Sequence, residues 1–474
     1  MKKLWMLVLL TGCMVGPDPE DPGICMPESY DEAPQQTEEI DLAHFWNQFD
    51  DPLLNDFVDE ALTCNLEFQI ALRRIEEVRA QYRIESSLLY PQIQGNFLAI
   101  RAKRSENLTT DVIESPDSVT EIVPDLGGPL VQNFFQLGFD AAWEIDLWGK
   151  NRRRSQAAHF DFQATQDEAL DVQIALVSDV ARAYVDIRTL QGQIATQVEQ
   201  ISRNQSLLEL AESRFEAGLT SYLDVTRAKA ALDAQVAVLP PLQESVKRAT
   251  YGLAVLLGKQ PQGFSVEEGE IPSAAGRIPT DLPSDLLCRR PDLRQAEADL
   301  HAATARIGQA KAELFPTFSL MGTLGTQAGK FDNLFVWPSR YWTIGPTMIW
   351  NLFTGGRLTG QIKVANERQK QALLAYEQAI LNALADVEGQ LVGYFKEQER
   401  LNALGERIEA DRLTRNLTLD QYIAGLVSFD NVLDTEATLF LAQLNLIESK
   451  GTLMVQLIGL YKALGGGWQC YPSP

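Results

Sequence analysis

The segment FEAGLTSYLDV at residues 215–225 governs the fold, because it returns 207 positions later as YIAGLVSFDNV at residues 422–432. In both copies an Ala-Gly-Leu turn separates two stretches with helical spacing of apolar residues. A repeat unit of roughly 200 residues is far longer than the ~20–50 residues of a solenoid repeat. The chain is therefore predicted to be a duplicated subdomain, each half of which contains helices and a pair of strands.

Further pairs of positions define the register of the duplication. Trp143 recurs at Trp350 with the same offset of 207. The dipeptides at residues 90–91 (Tyr-Pro) and 315–316 (Phe-Pro) are instead 225 positions apart. The 18 additional residues of the first half therefore fall within residues 104–133, where a loop can grow without moving the framework.

The N-terminus resembles a bacterial lipoprotein signal. Lys2 and Lys3 precede the apolar run at residues 4–10, and LTGC places Cys13 where cleavage is expected. Cleavage would leave Cys13 to carry the acyl chains, and the following Met14 is typical of sorting to the outer membrane. The alternative is a secretory signal with an incidental cysteine. The apolar run is too short for a membrane-spanning helix, which needs about 20 residues.

Composition narrows the partners. With 41 basic and 64 acidic residues the net charge is −23, so the chain would repel a polyphosphate and no nucleic-acid partner is expected. The other cysteines, Cys25, Cys64, Cys288 and Cys470, are too scattered for a disulfide framework or a zinc cluster. Cys64 and Cys288 occupy similar places in the two halves, so a disulfide and two independent surface thiols are both compatible with the sequence.

The hydrophobic pattern predicts few helices, and very long ones. No proline interrupts residues 357–422, where apolar side chains recur in steps of three and four. Unbroken, that helix would be about 100 Å long. Its first-half counterpart covers residues 152–216. The shorter partners cover residues 223–257, interrupted by Pro240-Pro241, and residues 431–464. Such lengths favour coiled-coil packing.

Between the helices the period changes to two, which predicts strands. Each half supplies two candidates of about ten residues with aromatic residues near their ends, as in outer-membrane barrels. Four strands cannot close a barrel, so the chain either oligomerises or keeps these strands out of a membrane. The candidates lie at about 91–104, 133–147, 316–327 and 341–353.

Five signatures resemble those of the TolC-type outer-membrane efflux factors, lipoprotein subgroup, and the similarity covers essentially the whole mature chain. They are Cys13, LWGK at 147–150, RRPD at 289–292, the paired AGL turns and YKALGGGW at 461–468. The resemblance implies a mainly α-helical homotrimer in which four strands per subunit close a twelve-stranded β-barrel, continued by an α-helical coiled-coil cylinder. It implies a periplasmic membrane-fusion adaptor and an inner-membrane RND-type or ABC transporter as partners, with outer-membrane lipid around the barrel.

These inferences predict six segments. They are a signal peptide (1–12), an acylated tether (13–48), a first repeat (49–258), a linker at the equatorial waist (259–285), a second repeat (286–464) and a C-terminal tail (465–474).

The two matching turns are predicted to be tight helix-turn-helix tips. Gly218 and Gly425 can adopt the left-handed conformation that ends a helix. Ser221 with Asp224, and Ser428 with Asn431, can open the next helix as capping pairs. Capping alone accounts for the glycines. The resemblance implies in addition that these tips, with Leu219 and Leu426, dock the adaptor.

The resemblance also assigns a periplasmic aperture beyond the second tip. Asp434 aligns with an aperture aspartate that would form a ring of three carboxylates in a trimer. Asp430 lies one turn before it and could make the constriction more acidic, although a solvated acidic helix face is the alternative for both. Tyr422 aligns with a tyrosine that holds the resting aperture closed, and Asp224 aligns with its partner. Val427 replaces the arginine of a second lock.

No feature of the sequence indicates catalysis. The three histidines, His44, His159 and His301, show no metal-ligand or triad spacing. No glycine cluster continues as a phosphate loop, so neither a nucleotide nor another cofactor is expected. The resemblance to the efflux factors therefore implies an outer-membrane exit duct of a tripartite efflux pump that passively conducts small solutes, such as drugs, toxic compounds or metals. The alternatives are a duct for type I protein secretion and a non-porous, lipid-anchored periplasmic coiled-coil scaffold.

Overall fold

The chain divides into two compact units in the computed structural model, which describes residues 14–20, 22–23, 26–27, 29–31, 42–103, 131–273 and 283–468. The strand unit comprises Met1–Asp21, Val78–Phe162 and Asp299–Ala372. The helical unit comprises Pro22–Glu77, Gln163–Ala298 and Leu373–Pro474.

Long helices dominate the fold, as the sequence predicts. Across the described residues there are eight α-helices and four β-strands: α1 (Pro52–Cys64), α2 (Leu66–Ser87), β1 (Gln92–Lys103), β2 (Val131–Ile145), α3 (Lys150–Glu216), α4 (Tyr222–Leu256), α5 (Leu286–Arg289), α6 (Pro291–Ala312), β3 (Thr317–Ala328), β4 (Arg340–Ile349), α7 (Arg357–Ile423) and α8 (Phe429–Ala463). All four predicted strands are present, with ends shifted by a few residues.

Four pairs of elements in the two halves have the same lengths, which confirms the duplication. Helices α3 and α7 each have 67 residues, helices α4 and α8 each have 35, and both pairs begin 207 positions apart. Helices α2 and α6 each have 22 residues, strands β1 and β3 each have 12, and both pairs begin 225 positions apart. The change of offset coincides with the β1–β2 connection at residues 104–130, which lies outside the described residues.

Two tryptophans make the same hydrogen bond in the two halves of the strand unit. Trp143 Nε1 donates to the carbonyl oxygen of Leu89 at 3.0 Å, and Trp350 Nε1 donates to that of Leu314 at 3.1 Å. The two donors are 207 positions apart in the sequence, and the two acceptors are 225 positions apart. The hydrogen bond is therefore repeated in the second half with the two offsets that relate the halves. Each bond connects the segment after α2 or α6 to the C-terminal end of the hairpin that follows it, within β2 for Trp143 and one residue beyond β4 for Trp350.

The strands form one antiparallel sheet in the order β1-β2-β3-β4, so β1 and β4 are its edges. One cross-strand row carries Phe139, Leu324 and Trp342, and the adjacent row carries polar residues including Asp140 and Thr323. Successive side chains of a strand point to opposite faces. The sheet therefore has an apolar face and a polar face.

The predicted interruption at Pro240-Pro241 is wrong, because α4 continues through both prolines. A proline inside a helix removes the hydrogen bond to the carbonyl group four residues earlier. Those carbonyl groups belong to residues 236 and 237, which are exposed. Water can therefore replace the lost backbone donors, and the helix tolerates the pair.

Residues 13–48, predicted to be a tether, are packed against other segments at several of the positions that the structure describes. Residues Leu42–Phe49 form a short 3₁₀ helix with its aromatic side chains buried, and Phe45 stacks on Tyr461 with 4.8 Å between the ring centroids. Val15 is also docked, since its N–H donates to the carbonyl oxygen of Trp148 at 3.0 Å. The predicted C-terminal tail is likewise packed at its start, because the N–H of Gly467 donates to Leu42.

Two further observations concern the thiols and the helices. Cys64 and Cys288 carry exposed thiols and are not bridged to each other, which favours the surface-thiol alternative. In the part of the chain that the structure describes, no helix is both long and apolar enough to span a bilayer.

Candidate functional site

Two helix-turn-helix tips in the helical unit have the same backbone. The first tip joins α3 to α4 and the second joins α7 to α8. Gly218 has φ +73° and Gly425 has φ +78°. The N–H groups of Leu219 and Leu426 donate to carbonyl oxygens five residues earlier, at 2.8 and 2.9 Å. This combination is a Schellman C-cap, so the predicted left-handed glycines are confirmed.

The predicted side-chain capping pairs are wrong. Ser221 and Ser428 are the N-cap residues of α4 and α8, but neither side chain makes a capping hydrogen bond. Their carbonyl oxygens instead accept from the N–H groups of Asp224 and Asn431, at 3.1 and 3.2 Å. With those donors satisfied by the backbone, the Asp224 carboxylate accepts from the Thr220 hydroxyl.

One hydrophobic core lies beneath both tips. Val427 packs against it. Helices α3, α4, α7 and α8 all contribute to it, so the two tips share one set of buried side chains. The buried members are Leu207, Leu208, Ala211, Val225, Ala228, Tyr422, Phe429 and Val432.

Arg214 of the first tip contacts Tyr422 of the second tip. Its guanidinium carbon lies 4.9 Å from the Tyr422 ring centroid, and its Nη1 donates to the carbonyl oxygen of Ile423 at 2.9 Å. Burial raises the pKa of Tyr422, and the nearby Asp224 carboxylate adds to the rise. Thr220 and Arg214 lie near the hydroxyl, yet among the described residues none completes a hydrogen bond with it. The Tyr422–Asp224 latch stays a prediction for the assembled protein.

The two predicted aperture aspartates differ in their surroundings. Asp430 is half-exposed and forms an ion pair with Arg227 of α4 at 2.6 Å. Its charge is therefore already compensated within the chain, contrary to the expectation of a more acidic constriction. Asp434 is exposed, and no ion pair to it is present among the described residues. It is thus the carboxylate that remains available to ions in solution.

A buried ionic cluster that the sequence analysis missed joins three long helices. Glu436 of α8 is only 1% exposed. Its carboxylate accepts from Arg415 Nε of α7, and Arg203 Nε of α3 lies 3.7 Å away. The available signal was a glutamate between Val432 and Leu439, on the apolar face of α8. Buried charges are normally paired, and here the pairing links α8 to both α7 and α3.

The apolar face of the sheet is a second candidate functional surface. Phe139, Leu324 and Trp342 are 62%, 61% and 72% exposed. Large contiguous apolar surfaces are rare on proteins that face only water. The opposite face carries hydrogen-bonded polar groups, among them Asn96 with Asp140. Apolar and polar residues that alternate in this way are typical of a strand between lipid and an aqueous lumen.

The remaining predicted residues have simpler outcomes. Cys13 lies outside the described residues, so its acylation stays a prediction. No cluster of histidine, cysteine or acidic side chains suited to a metal ion occurs within the described ranges.

The chain is a duplicated helical protein with a four-stranded sheet, which has one apolar and one polar face, and with two matching tips. This combination of features is typical of one subunit of an outer-membrane channel. The family model for "Outer membrane efflux protein" matches residues 57–259 and 282–466. The solvent efflux pump outer membrane protein SrpC of Pseudomonas putida is 30% identical over 98% of this chain and 97% of its own length. The cation efflux system protein CusC of Escherichia coli O6:H1 is 28% identical over 97% of both chains.

Solved structures agree with these matches. The outer-membrane channel OprN has a TM-score of 0.86 and 30% identity over 96% of this chain and 100% of its own. The chain therefore belongs to the outer membrane efflux protein family. Members of this family are channels rather than enzymes, as the sequence analysis predicts for this protein.

Proposed function

We propose that this protein is the trimeric, lipid-anchored exit duct of a tripartite efflux pump, and that it passively conducts small solutes across the outer membrane. The exposed apolar face of the four-stranded sheet carries this proposal. Strands β1 and β4 are edges within one chain, and lipid cannot satisfy their free backbone groups. Pairing of β4 with β1 of the next copy satisfies both edges and closes a barrel of three chains.

The tips are the proposed periplasmic end of the duct. Leu219 and Leu426 are 66% and 75% exposed at the two turns, which suits docking of an adaptor hairpin. A Cβ at Gly218 or Gly425 meets no atom within 4 Å, so a side chain fits there and its cost arises from the positive φ. In a double Gly218→Trp, Gly425→Trp variant the adaptor should no longer co-purify. Gly252→Trp, on an exposed part of α4 with equal space, is the control, and retained adaptor in the double variant would contradict docking.

Three copies of Asp434 are the proposed charged ring of the aperture. Because Asp430 is already paired with Arg227, Asp434→Asn should lower cation selectivity in planar bilayers more than Asp430→Asn. Equal selectivity in wild type and Asp434→Asn would refute the ring.

The proposed solutes are small molecules or ions, in line with the solvent and cation efflux named for the relatives. The duct itself is tested by electron microscopy of the purified full-length protein. Threefold hollow particles are expected. Monomers or solid particles would favour the periplasmic scaffold, and the exposed apolar face would then have no lipid to cover it.

A further inference from the structure

The segment that follows Cys13 is seated in a built receptacle in the strand unit. Arg153 of α3 is buried, with 1% of its side chain exposed, and three of its acceptors belong to residues 15–18. Its Nε donates to the carbonyl oxygen of Val15 at 3.4 Å, and its Nη2 donates to that of Gly16 at 3.4 Å and to Asp18 Oδ1 at 2.7 Å. A buried guanidinium needs such acceptors, so the segment completes the environment of Arg153.

Glycines make room for this segment on both sides. A Cβ on Gly308 of α6 would lie 2.7 Å from the Val15 carbonyl oxygen and 2.8 Å from Arg153 Nε. A Cβ on Gly149 would lie 2.8 Å from Met14 Cγ. Both distances are too short for real contacts, so the close approach of the segment depends on these two glycines.

The receptacle lies at the junction between β2 and α3. The N–H of Val15 donates to Trp148, and the Trp148 ring stacks on Phe315 at 4.7 Å while its Nε1 donates to Pro316 at 2.9 Å. Strand β2 ends at Ile145, three residues before Trp148. The docked segment therefore begins where the strand gives way to the helix.

We propose that Arg153, Gly149 and Gly308 form a receptacle for residues 14–18 that positions the acyl anchor at the end of the barrel strands. Consecutive Cα atoms are about 3.8 Å apart, so Cys13 is tied to within one peptide of docked Met14. Acyl chains attached there enter the lipid beside the barrel rather than at the end of a loose tether. This inference rests on the proposed lipoprotein duct.

The first test is hydrogen exchange of the acylated, full-length protein in lipid nanodiscs. In Arg153→Met and in Gly308→Ala, exchange of the Val15 amide, which donates to the carbonyl oxygen of Trp148, should accelerate by about tenfold or more. The reason is that the hydrogen bonds from Arg153, which hold the segment in place, are lost or displaced. The control for the first is Arg154→Met, since Arg154 pairs with Glu85 instead. The control for the second is Gly360→Ala, where an added Cβ meets no atom within 4 Å. Exchange in α4 reports whether the fold is intact.

Unchanged exchange at residues 14–18 in both test variants overturns the receptacle, whether or not the protein conducts. Protection that depends on Arg153 in a protein without pore activity supports the receptacle and refutes the duct. The two ideas can thus fail separately.

The second test separates docking from positioning of the lipid. An insertion of Gly-Ser-Gly between Met14 and Val15 lengthens the connection between the acylated cysteine and the docked residues. The same insertion after Glu20 is the control, because it lies beyond the docked residues and leaves that connection unchanged. The first insertion should lower the yield of membrane-assembled trimer about threefold or more, because the effective concentration of the anchor at the junction falls. Equal yields from the two insertions overturn the positioning role.

Discussion

The first and second tips have one backbone and two different environments. In the first tip the ring centroids of Phe215 and Tyr222 are 5.4 Å apart, and the two residues are 42% and 61% exposed. Their repeat equivalents in the second tip, Tyr422 and Phe429, have ring centroids 5.2 Å apart but are only 4% and 1% exposed. The charges differ as well, because Arg227 of the first tip occupies the position of Asp434 in the second. Duplication preserved the turn, which local sequence encodes, while the two copies diverged in the partners they cover.

This difference has a consequence for function. The aromatic residues of the second tip, Tyr422 and Phe429, lie in the core that both tips share, so they help to hold the four helices together. The first tip presents its aromatic residues to the outside, where another chain can cover them. The first copy of the turn therefore exposes aromatic surface that the second copy buries, while both copies expose a leucine.

The largest effect should come from the buried charge of the second half. Glu436→Gln should lower the free energy of unfolding by about 3–5 kcal/mol, because Arg415 and Arg203 lose their buried anion. The repeat equivalent, Lys229, is exposed, and Lys229→Gln should change it by no more than about 0.5 kcal/mol. Chemical denaturation followed by circular dichroism measures both. Similar losses in the two variants would show that the halves do not differ here.

The aromatic pairs offer the next comparison. Tyr422→Ala should cost about 3–4 kcal/mol as a buried aromatic truncation, and the equivalent Phe215→Ala about 1 kcal/mol or less. Tyr422→Phe keeps the packing and removes only the hydroxyl. If the latch to Asp224 forms in the trimer, Tyr422→Phe should raise the open probability in planar bilayers without a matching loss of stability. Unaltered gating in this variant would exclude the latch.

A pH dependence distinguishes α3 from α7. Burial raises the pKa of Asp167 from 3.8 to about 6, against the opposing effect of Arg294, 2.8 Å away. Between these two values the folded chain binds more protons than the unfolded chain, so stability from this group grows as the pH falls through 6. The gain should be about 1–3 kcal/mol between pH 7 and pH 4.

Asp167→Asn should remove that part of the slope in melting curves recorded from pH 7 to pH 4. The exposed Glu399→Gln is the control and should keep the wild-type slope. A slope that survives in Asp167→Asn would assign the effect to other groups. At the equivalent position of α7 stands the exposed Leu374, which cannot titrate.

The smallest effect concerns the cross-tip ion pair. Asp430→Asn and Arg227→Gln should each cost about 0.2–1 kcal/mol, since the pair is partly exposed. The double variant should cost no more than either single change if the two residues act only on each other. Additive losses would show that Arg227 and Asp430 contribute independently. Stability should not respond to Asp434→Asn, whose proposed role is in ion selectivity.

Much of the fold was predictable because its signals are local or periodic. Proline-free runs with steps of three and four predicted α3 and α7, and alternation predicted the strands. The Gly218 and Gly425 turns followed from glycine at a helix end. The continuity of α4 was missed, because whether water can reach the carbonyl groups before Pro240 depends on what covers that part of the helix.

The candidate site was less predictable, because its chemistry depends on pairs of residues far apart in the chain. Sequence analysis singled out Asp430 and Asp434 together, but only the structure paired Asp430 with Arg227. Glu436 could be found in the sequence only as an anomaly on an apolar face, since its two arginines lie on other helices. Arg153 gave no signal, because two of its three acceptors in residues 15–18 are backbone carbonyl groups and the third, Asp18, lies far away in the chain.

The sequence by itself determined the duplication, its two registers, the length of the helices and the conformation of the turns. Each of these depends on neighbours within a few residues, or on the comparison of one half with the other. Only the tertiary structure decided which copy of each repeated position is buried, which charges are compensated and where residues 14–18 dock. Those outcomes depend on contacts between distant segments, because burial and electrostatic pairing arise only when helices and strands pack together.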